Sequence, residues 1–236
     1  MSASATIQKW NQTASSYVQY FEPTTLIMGR YMLNCLKLQF QGQPLRVIEA
    51  GAGAGGLAKE LMELNGLSLD HLYVTDIAEG MLRQAERRLE GFDKVVTVEL
   101  ADATQFKYAD NTFDRYVSNM VLHYADDPNG MVNECYRVLK PGGICGFTIW
   151  GRRESSPLFT IVPDVLDDLN LCKKDPTKRN GFCLGQDDES LRHKLFKEFS
   201  KCLVMHVVRT DEECLLLLWW LLNNSFVFRP MTANRH

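Results

Sequence analysis

The chain contains no Cys-x-x-Cys pair, no internal repeat, no low-complexity tract and no apolar run long enough for a bilayer. Each absence excludes something. Its seven cysteines, at 35, 135, 145, 172, 183, 202 and 214, are odd in number and lack framework spacing. Buried thiols in a reducing compartment explain them better than disulfides or a zinc site. The longest apolar run, "CLLLLWWLL", is about half of a membrane span. "MSASATIQKW" holds no apolar signal core and no arginine-rich transit pattern. These features predict a soluble cytoplasmic protein without a membrane span. A net charge of −3 lacks the basic excess of a nucleic-acid or anionic-membrane partner. Arg83, Arg87 and Arg88 could form a local basic patch, but a solvated helix face accounts for them.

What is present is the pattern of one α/β domain. Its 236 residues, 45% hydrophobic, can bury a full core. "IQKWNQTASSYVQYFEP" has helical periodicity that Pro23 is expected to break, and "TTLIMGRYMLNCLKL" resumes it. From Leu45 strands alternate with helices. "LRVIEA", "HLYVTD", "KVVTVELAD", part of "FDRYVSNMVLHY" and "ICGFTIW" read as five strands. The helix "DDPNGMVNECYRVLK" is expected to stop at "PGG". Alternation of this kind predicts βαβ units and a doubly wound, mostly parallel, Rossmann-like sheet with helices on both faces. Ligand would sit at the C-terminal ends of the first strands, where strand order reverses. Beyond Gly151, "SPLFTIVPDVLDDLNL" and "DDESLRHKLFKEF" read as helices and "KCLVMHVVRT" as a strand. "DEECLLLLWWLLNN" reads as a helix, and "SFVFRPMTANRH" can supply at most a short strand. The organisation is one domain over 1–236: N-terminal lid helices (1–43), a cofactor-binding core (44–151), and substrate-side and C-terminal elements (152–236).

The segment "VIEAGAGAGG" fits two glycine motifs. Gly51, Gly53 and Gly56 spell G-x-G-x-x-G, which points to dinucleotides. Gly51, Gly53 and Gly55 spell G-x-G-x-G, which points to a nucleoside without phosphate. Asp76 ends the second strand 25 residues beyond Gly51, further than a dinucleotide site's acidic ribose ligand normally lies. Glu49 is the sharper discriminator. A carboxylate there would repel a pyrophosphate held on helix N-terminal amides and attract a protonated amine.

"VIEAGAGAGG", "VTDIAEGML", "LADATQF", "FDRYVSNMVLHY" and "RVLKPGG" resemble, in order and spacing, the motifs of class I S-adenosylmethionine-dependent methyltransferases. The likeness runs over roughly residues 10 to 151 and is greatest to the small-molecule branch that includes the ubiquinone and menaquinone C-methyltransferases. It implies the seven-stranded class I methyltransferase fold, strand order 3-2-1-4-5-7-6 with the last strand antiparallel. The cofactor would be S-adenosyl-L-methionine, the product S-adenosyl-L-homocysteine, and the partner a small-molecule acceptor methylated at C, O or N.

By the same resemblance, Gly51 and Gly53 let the backbone approach the methionine portion, and Glu49 serves the loop and methionine end. Asp76 would accept both ribose hydroxyls. Ile77 and Met81 would flank the adenine, with helix core an equal reading for Met81. Asp102 would accept the adenine amine and Ala103 would read the ring, a turn Asp being the alternative at 102. Asn119 to Leu122 would lie beneath the transferring methyl. His123 is a candidate base, needed only if the acceptor must lose a proton. Otherwise it packs. Tyr17 and Tyr20 resemble the N-terminal aromatic segment that closes over the cofactor, where Tyr17 could serve catalysis; core packing competes.

"WGRRESS" has no Asp-Asn pair for magnesium, so no metal is expected, and "SNMVLHY" lacks the Asn-Pro-Pro-aromatic signature of nucleic-acid amino-methyltransferases. A catalytically idle binding protein of the same fold and an NAD(P)-linked oxidoreductase are the alternatives. Trp219 and Trp220, adjacent on the expected helix, could not share one buried stripe. One of them would then meet the acceptor pocket, the lid or another subunit, a merely wider core being the alternative. The acceptor and the oligomeric state are not legible.

Overall fold

The computed structural model describes residues 3–38, 43–64, 68–153, 157–171, 182–185, 191, 203–207 and 216–220. Two N-terminal helices, α1 (Ala3–Ser16) and α2 (Glu22–Cys35), are joined by a π-helical turn over Tyr17–Phe21. Pro23 therefore does not break the helix. It has no N–H to give the carbonyl of residue 19, and the Glu22 amide instead reaches back five residues to Tyr17 O.

The strands β1 (Leu45–Ala50), β2 (Leu69–Asp76), β3 (Val96–Leu100), β4 (Phe113–Asn119) and β5 (Leu139–Ile149) follow, with α3 (Gly56–Met62), α4 (Glu79–Arg88) and α5 (Pro128–Val138) between them. After α6 (Pro157–Asp168) come β6 (Leu203–Val207) and β7 (Leu216–Trp220). The sheet order is β3-β2-β1-β4-β5-β7-β6, with β7 antiparallel to both neighbours, as the resemblance implied.

Strand alternation divides the core into two layers. Val47, Val74 and Val117 pack with Met32, Leu57 and Ala85 from α2, α3 and α4. Ile48, Tyr116 and Phe147 face Met131, Val132 and Cys135 of α5. With both faces covered, β1, β4 and the second half of β5, from Ile144 to Ile149, are almost continuously buried.

Two strand readings need correction. The "PGG" segment lies within β5, which begins at Leu139 and takes up the extra residues through a register shift opposite Phe113 and Arg115. "LLLWW" is β7, not a helix, so the inference from adjacent tryptophans on a helix fails. A short apolar run carries no period that separates strand from buried helix. Leu216–Trp220 supplies the seventh strand, whereas "SFVFRPMTANRH", which could supply at most a short strand, lies outside the described residues. The expected helix in "DDESLRHKLFKEF" also lies outside them, apart from Leu191. Among the described residues, no helix is long and apolar enough to cross a membrane.

Candidate functional site

β1 pairs with β2 on one side and β4 on the other, which makes the β1/β4 boundary the point where strand order reverses. The loops at the C-terminal ends of these strands, together with α1 and the π turn, enclose a cavity of about 610 Å³. Gly51, Gly53 and Asp76 line it from β1 and β2. Ile77 and Met81 line it from the start of α4, and Asp102 and Ala103 from the end of β3. Asn119, Met120 and Val121 line it after β4, and Tyr17 lines it from the π turn.

The turn after β1 separates the glycines of the two spellings by what the backbone requires of each. Gly51, Gly53 and Gly55 have φ of +71°, +57° and +73°, a region that L side chains rarely adopt. Gly56 has no such backbone requirement. It is glycine for space, because a Cβ there would stand 2.7 Å from Glu22 Oε1 and 2.8 Å from Arg88 Nη1.

Asp76 is buried at the end of β2. Its Oδ2 accepts from the Gly53 amide at 2.8 Å and its Oδ1 from the Ala78 amide at 2.9 Å. Burial pushes its pKa up, against those backbone donors. Asp102 Oδ1 accepts from the Thr104 amide and hydroxyl at 2.8 and 2.7 Å, a closed turn on the cavity rim. Asp102 thus closes a turn and also lines the cavity.

Glu49 is 3% exposed and lies one layer behind the cavity wall. Its Oε2 accepts no hydrogen bond among the described residues. Burial above all, then the charges of Asp76 and Glu22, raises its pKa to about 8, against the Ala58 amide and Arg88. The sequence alone implies a standing negative charge facing the ligand. With nothing bound, Glu49 is instead a neutral acid at neutral pH, set behind the turn.

Asn119 bridges the lid and the sheet. Its Nδ2 donates to Thr25 O at 3.0 Å and its Oδ1 accepts from the Thr148 hydroxyl at 2.6 Å. Thr25 Oγ1 donates to Glu22 O at 3.1 Å and so accepts from the Tyr17 hydroxyl at 2.9 Å. Burial pushes the Tyr17 phenol up to about 12, so it is a donor and not a base near neutral pH. Tyr20 is 67% exposed and is not on the wall.

His123 is fully buried and also off the wall, its ring 4.2 Å from that of Tyr124, which does line the cavity. Sequence reasoning missed Trp10, which packs edge-on against both Tyr17 (5.9 Å) and Tyr124 (5.6 Å). Trp150 and Phe182 add a second aromatic pair on the wall. Spacing within one helix could have placed Trp10 two turns before Tyr17, but nothing local showed that Tyr124 meets Trp10. No grouping of His, Cys, Asp and Glu among the described residues could hold a metal ion.

Residues 48–147 match the family model described as "Methyltransferase domain". The chain is 37% identical over 106 residues to a demethylmenaquinone methyltransferase of Clavibacter sepedonicus, covering 44% of this chain and 41% of that protein. It is 34% identical over 107 residues to a sterol 24-C-methyltransferase of Aspergillus fumigatus, covering 45% and 28%. The chain thus spans less than half the length of these relatives. Among solved structures, an S-adenosylmethionine-dependent methyltransferase from Thermotoga maritima superposes with a TM-score of 0.60 at 19% identity, covering 90% of this chain and 97% of that one. A second, from Aquifex aeolicus, gives 0.58 at 18% identity, covering 89% and 98%. The cavity at the β1/β4 switch, the glycine turn and these likenesses lead to one conclusion: the chain has the fold of the class I S-adenosylmethionine-dependent methyltransferases, and its residues 48–147 match a methyltransferase domain.

Proposed function

We propose that this protein transfers a methyl group from S-adenosylmethionine to a small organic acceptor, yielding S-adenosylhomocysteine. The observation that carries the reading is Asp76. Its two oxygens are fixed by the Gly53 and Ala78 amides on the cavity wall, and each keeps accepting capacity for a vicinal diol. The residues present fit a nucleoside carrying an amine and no phosphate. Asp76 and Asp102 stand where phosphate would be repelled, and the orphaned Glu49 Oε2 behind the turn suits a protonated amine.

When bound, the cofactor supplies a methyl group already activated on a sulfonium. Asp76 holds the ribose, Ile77, Met81, Asp102 and Ala103 form the adenine wall, and Gly51 and Gly53 give the close backbone approach. Tyr17, Trp10 and Tyr124 exclude water and offer aromatic faces to a positive centre. Asn119 fixes the lid over the reacting end. Positioning supplies the acceleration, and a base is needed only where the acceptor must lose a proton. Residues 1–236 act as a single unit in this reading, with the cytoplasm as its setting and no nucleic acid as substrate.

Titration calorimetry tests it. S-adenosylmethionine and S-adenosylhomocysteine should bind and NADH should not. Binding of NADH alone would overturn the reading. Cofactor binding with no labelled product from any metabolite extract would favour the idle binding protein instead.

A further inference from the structure

Arg88, expected on a solvated helix face, is instead bound in a bidentate ion pair. Its Nη1 and Nη2 donate to Glu22 Oε1 and Oε2 at 2.7 and 2.8 Å. The Glu22 side chain is 9% exposed, whereas Arg87, on the same helical turn, is exposed and favoured there by the helix dipole. The pair joins the first turn of α2 to the last turn of α4 and passes directly over Gly56.

Glu22 is also one link from the cavity wall. Its carbonyl accepts from Thr25 Oγ1, Thr25 accepts from the Tyr17 hydroxyl, and the Thr25 carbonyl accepts from Asn119. A separate tie holds α1, where Asn11 Oδ1 accepts from the Gly80 amide at 2.6 Å. We infer that Glu22 and Arg88 are positioning residues: they latch the N-terminal helices onto the glycine turn and thereby set Tyr17 and Thr25 over the cofactor. The assignment rests on the methyltransferase reading for the identity of the ligand, though not for the latch itself.

The latch is also coupled to the acid behind the turn. The groups that act on Glu49 are Asp76 from β2, Glu22 from α2 and Arg88 from α4, and Glu49 in turn acts on Tyr17 of the π turn. Glu22 raises the pKa of Glu49 and Arg88 lowers it. The two halves of one ion pair therefore have the same mechanical role and opposite electrostatic effects. A salt bridge remote from Glu49 would not produce that signature, and the lid exchange reports the mechanical role separately.

Gly56 gives an independent handle. Its backbone suits any residue, so Gly56→Ala at the start of α3 should by helix propensity raise the melting temperature. If the latch matters, the added methyl wedges Glu22 from Arg88 and loosens the lid instead.

The experiment compares wild type with Arg88→Met, Arg88→Lys, Glu22→Gln, Glu22→Gln/Arg88→Met and Gly56→Ala. Amide hydrogen exchange is followed without ligand, and calorimetry measures S-adenosylmethionine binding from pH 6 to 9. Arg88→Met, Glu22→Gln and Gly56→Ala should each speed exchange across residues 3–35 at least tenfold with the central strands unchanged. Each should weaken cofactor binding about tenfold, with Arg88→Lys recovering part and the double variant no worse than the worse single. The pH midpoint for binding should move up in Arg88→Met and down in Glu22→Gln, the ligand's own amine titrating alike in both.

Three outcomes overturn the assignment: lid exchange within twofold of wild type, midpoints that move together or not at all, or Gly56→Ala that stabilises with unchanged affinity. If Arg88→Met does not fold, Arg88→Lys and Gly56→Ala carry the test. If wild type takes no cofactor, the methyltransferase reading falls while hydrogen exchange still decides the latch.

Discussion

Asp76 Oδ2 accepts the Gly53 amide hydrogen at 2.8 Å, so one carboxylate fixes both the end of β2 and the middle of the glycine turn. Its partner oxygen does the same for the Ala78 amide, and an amide side chain could not serve both donors. Asp76→Asn should leave one buried N–H facing another. A cost of about 1–3 kcal/mol in unfolding free energy follows from the unpaired donor. Cofactor affinity should fall by a similar amount, read by calorimetry. Unchanged melting and affinity would mean that Asp76 organises neither the turn nor the ligand.

Gly51 and Gly53 should respond differently to alanine. Both have positive φ, a strain of roughly 1–2 kcal/mol for an L residue. A Cβ on Gly51 would also stand 2.5 Å from Val121 Cγ2, whereas on Gly53 the nearest atom is Tyr17 Cε1 at 3.8 Å. Gly51→Ala should therefore lower the melting temperature more, and Gly53→Ala should damage cofactor affinity more than stability, its methyl entering the cavity. Paired thermal melts and titrations check the order, and equal losses from both would contradict it.

Much of this architecture is legible in the residues themselves. Strand-helix alternation and the order of motifs identify β1 to β5, and the glycine turn, Asp76, Asp102 and Asn119 all reach one cavity. What escapes has physical causes. "LLLWW" is a strand because five apolar residues carry no period of their own, and partner strands decide. Pro23 sits inside a helical path because a π turn absorbs its missing donor. Arg88 reads as a surface charge in sequence because Glu22, its partner, is 66 residues away.

Glu49 makes the cofactor-free protein sensitive to pH in a defined direction. Its folded pKa of about 8 exceeds the ordinary 4.5, so the folded state holds the extra proton. Its contribution to stability is complete below the ordinary value and is lost as pH rises through about 8. Urea midpoints should therefore fall between pH 5 and pH 8, and Glu49→Gln should flatten that slope. Saturating cofactor should flatten it too, if its amine pairs with the ionised acid. A Glu49→Gln slope equal to wild type would place the titration elsewhere.

Tyr17 and Thr25 make a further prediction. The phenol donates to Thr25 and is held protonated by burial, with a pKa of about 12. Tyr17→Phe should cost about 0.5–1.5 kcal/mol, the worth of one hydrogen bond. The pH–rate profile should keep its shape, because no proton leaves Tyr17 in the working range. A lost limb in that profile would make Tyr17 an acid–base group after all.

His123 and Tyr124 divide the roles expected of the histidine alone. His123 is 1% exposed and off the cavity wall, whereas Tyr124 is 38% exposed, lines the cavity and meets Trp10. A base must reach the proton that it removes, directly or through one water. The imidazole stands behind the Tyr124 ring, at 4.2 Å between centroids, where it supports the wall instead. His123→Ala should therefore lower stability by about 1–3 kcal/mol, as buried truncations do. It should lower kcat less than tenfold and leave the pH–rate limbs in place. Tyr124→Ala should do the reverse, raising acceptor KM with a small change in melting temperature. Rates across pH 5 to 9, measured beside thermal melts, separate the two. A hundredfold loss of kcat in His123→Ala, with one limb gone and the melt unchanged, would return the histidine to the chemistry.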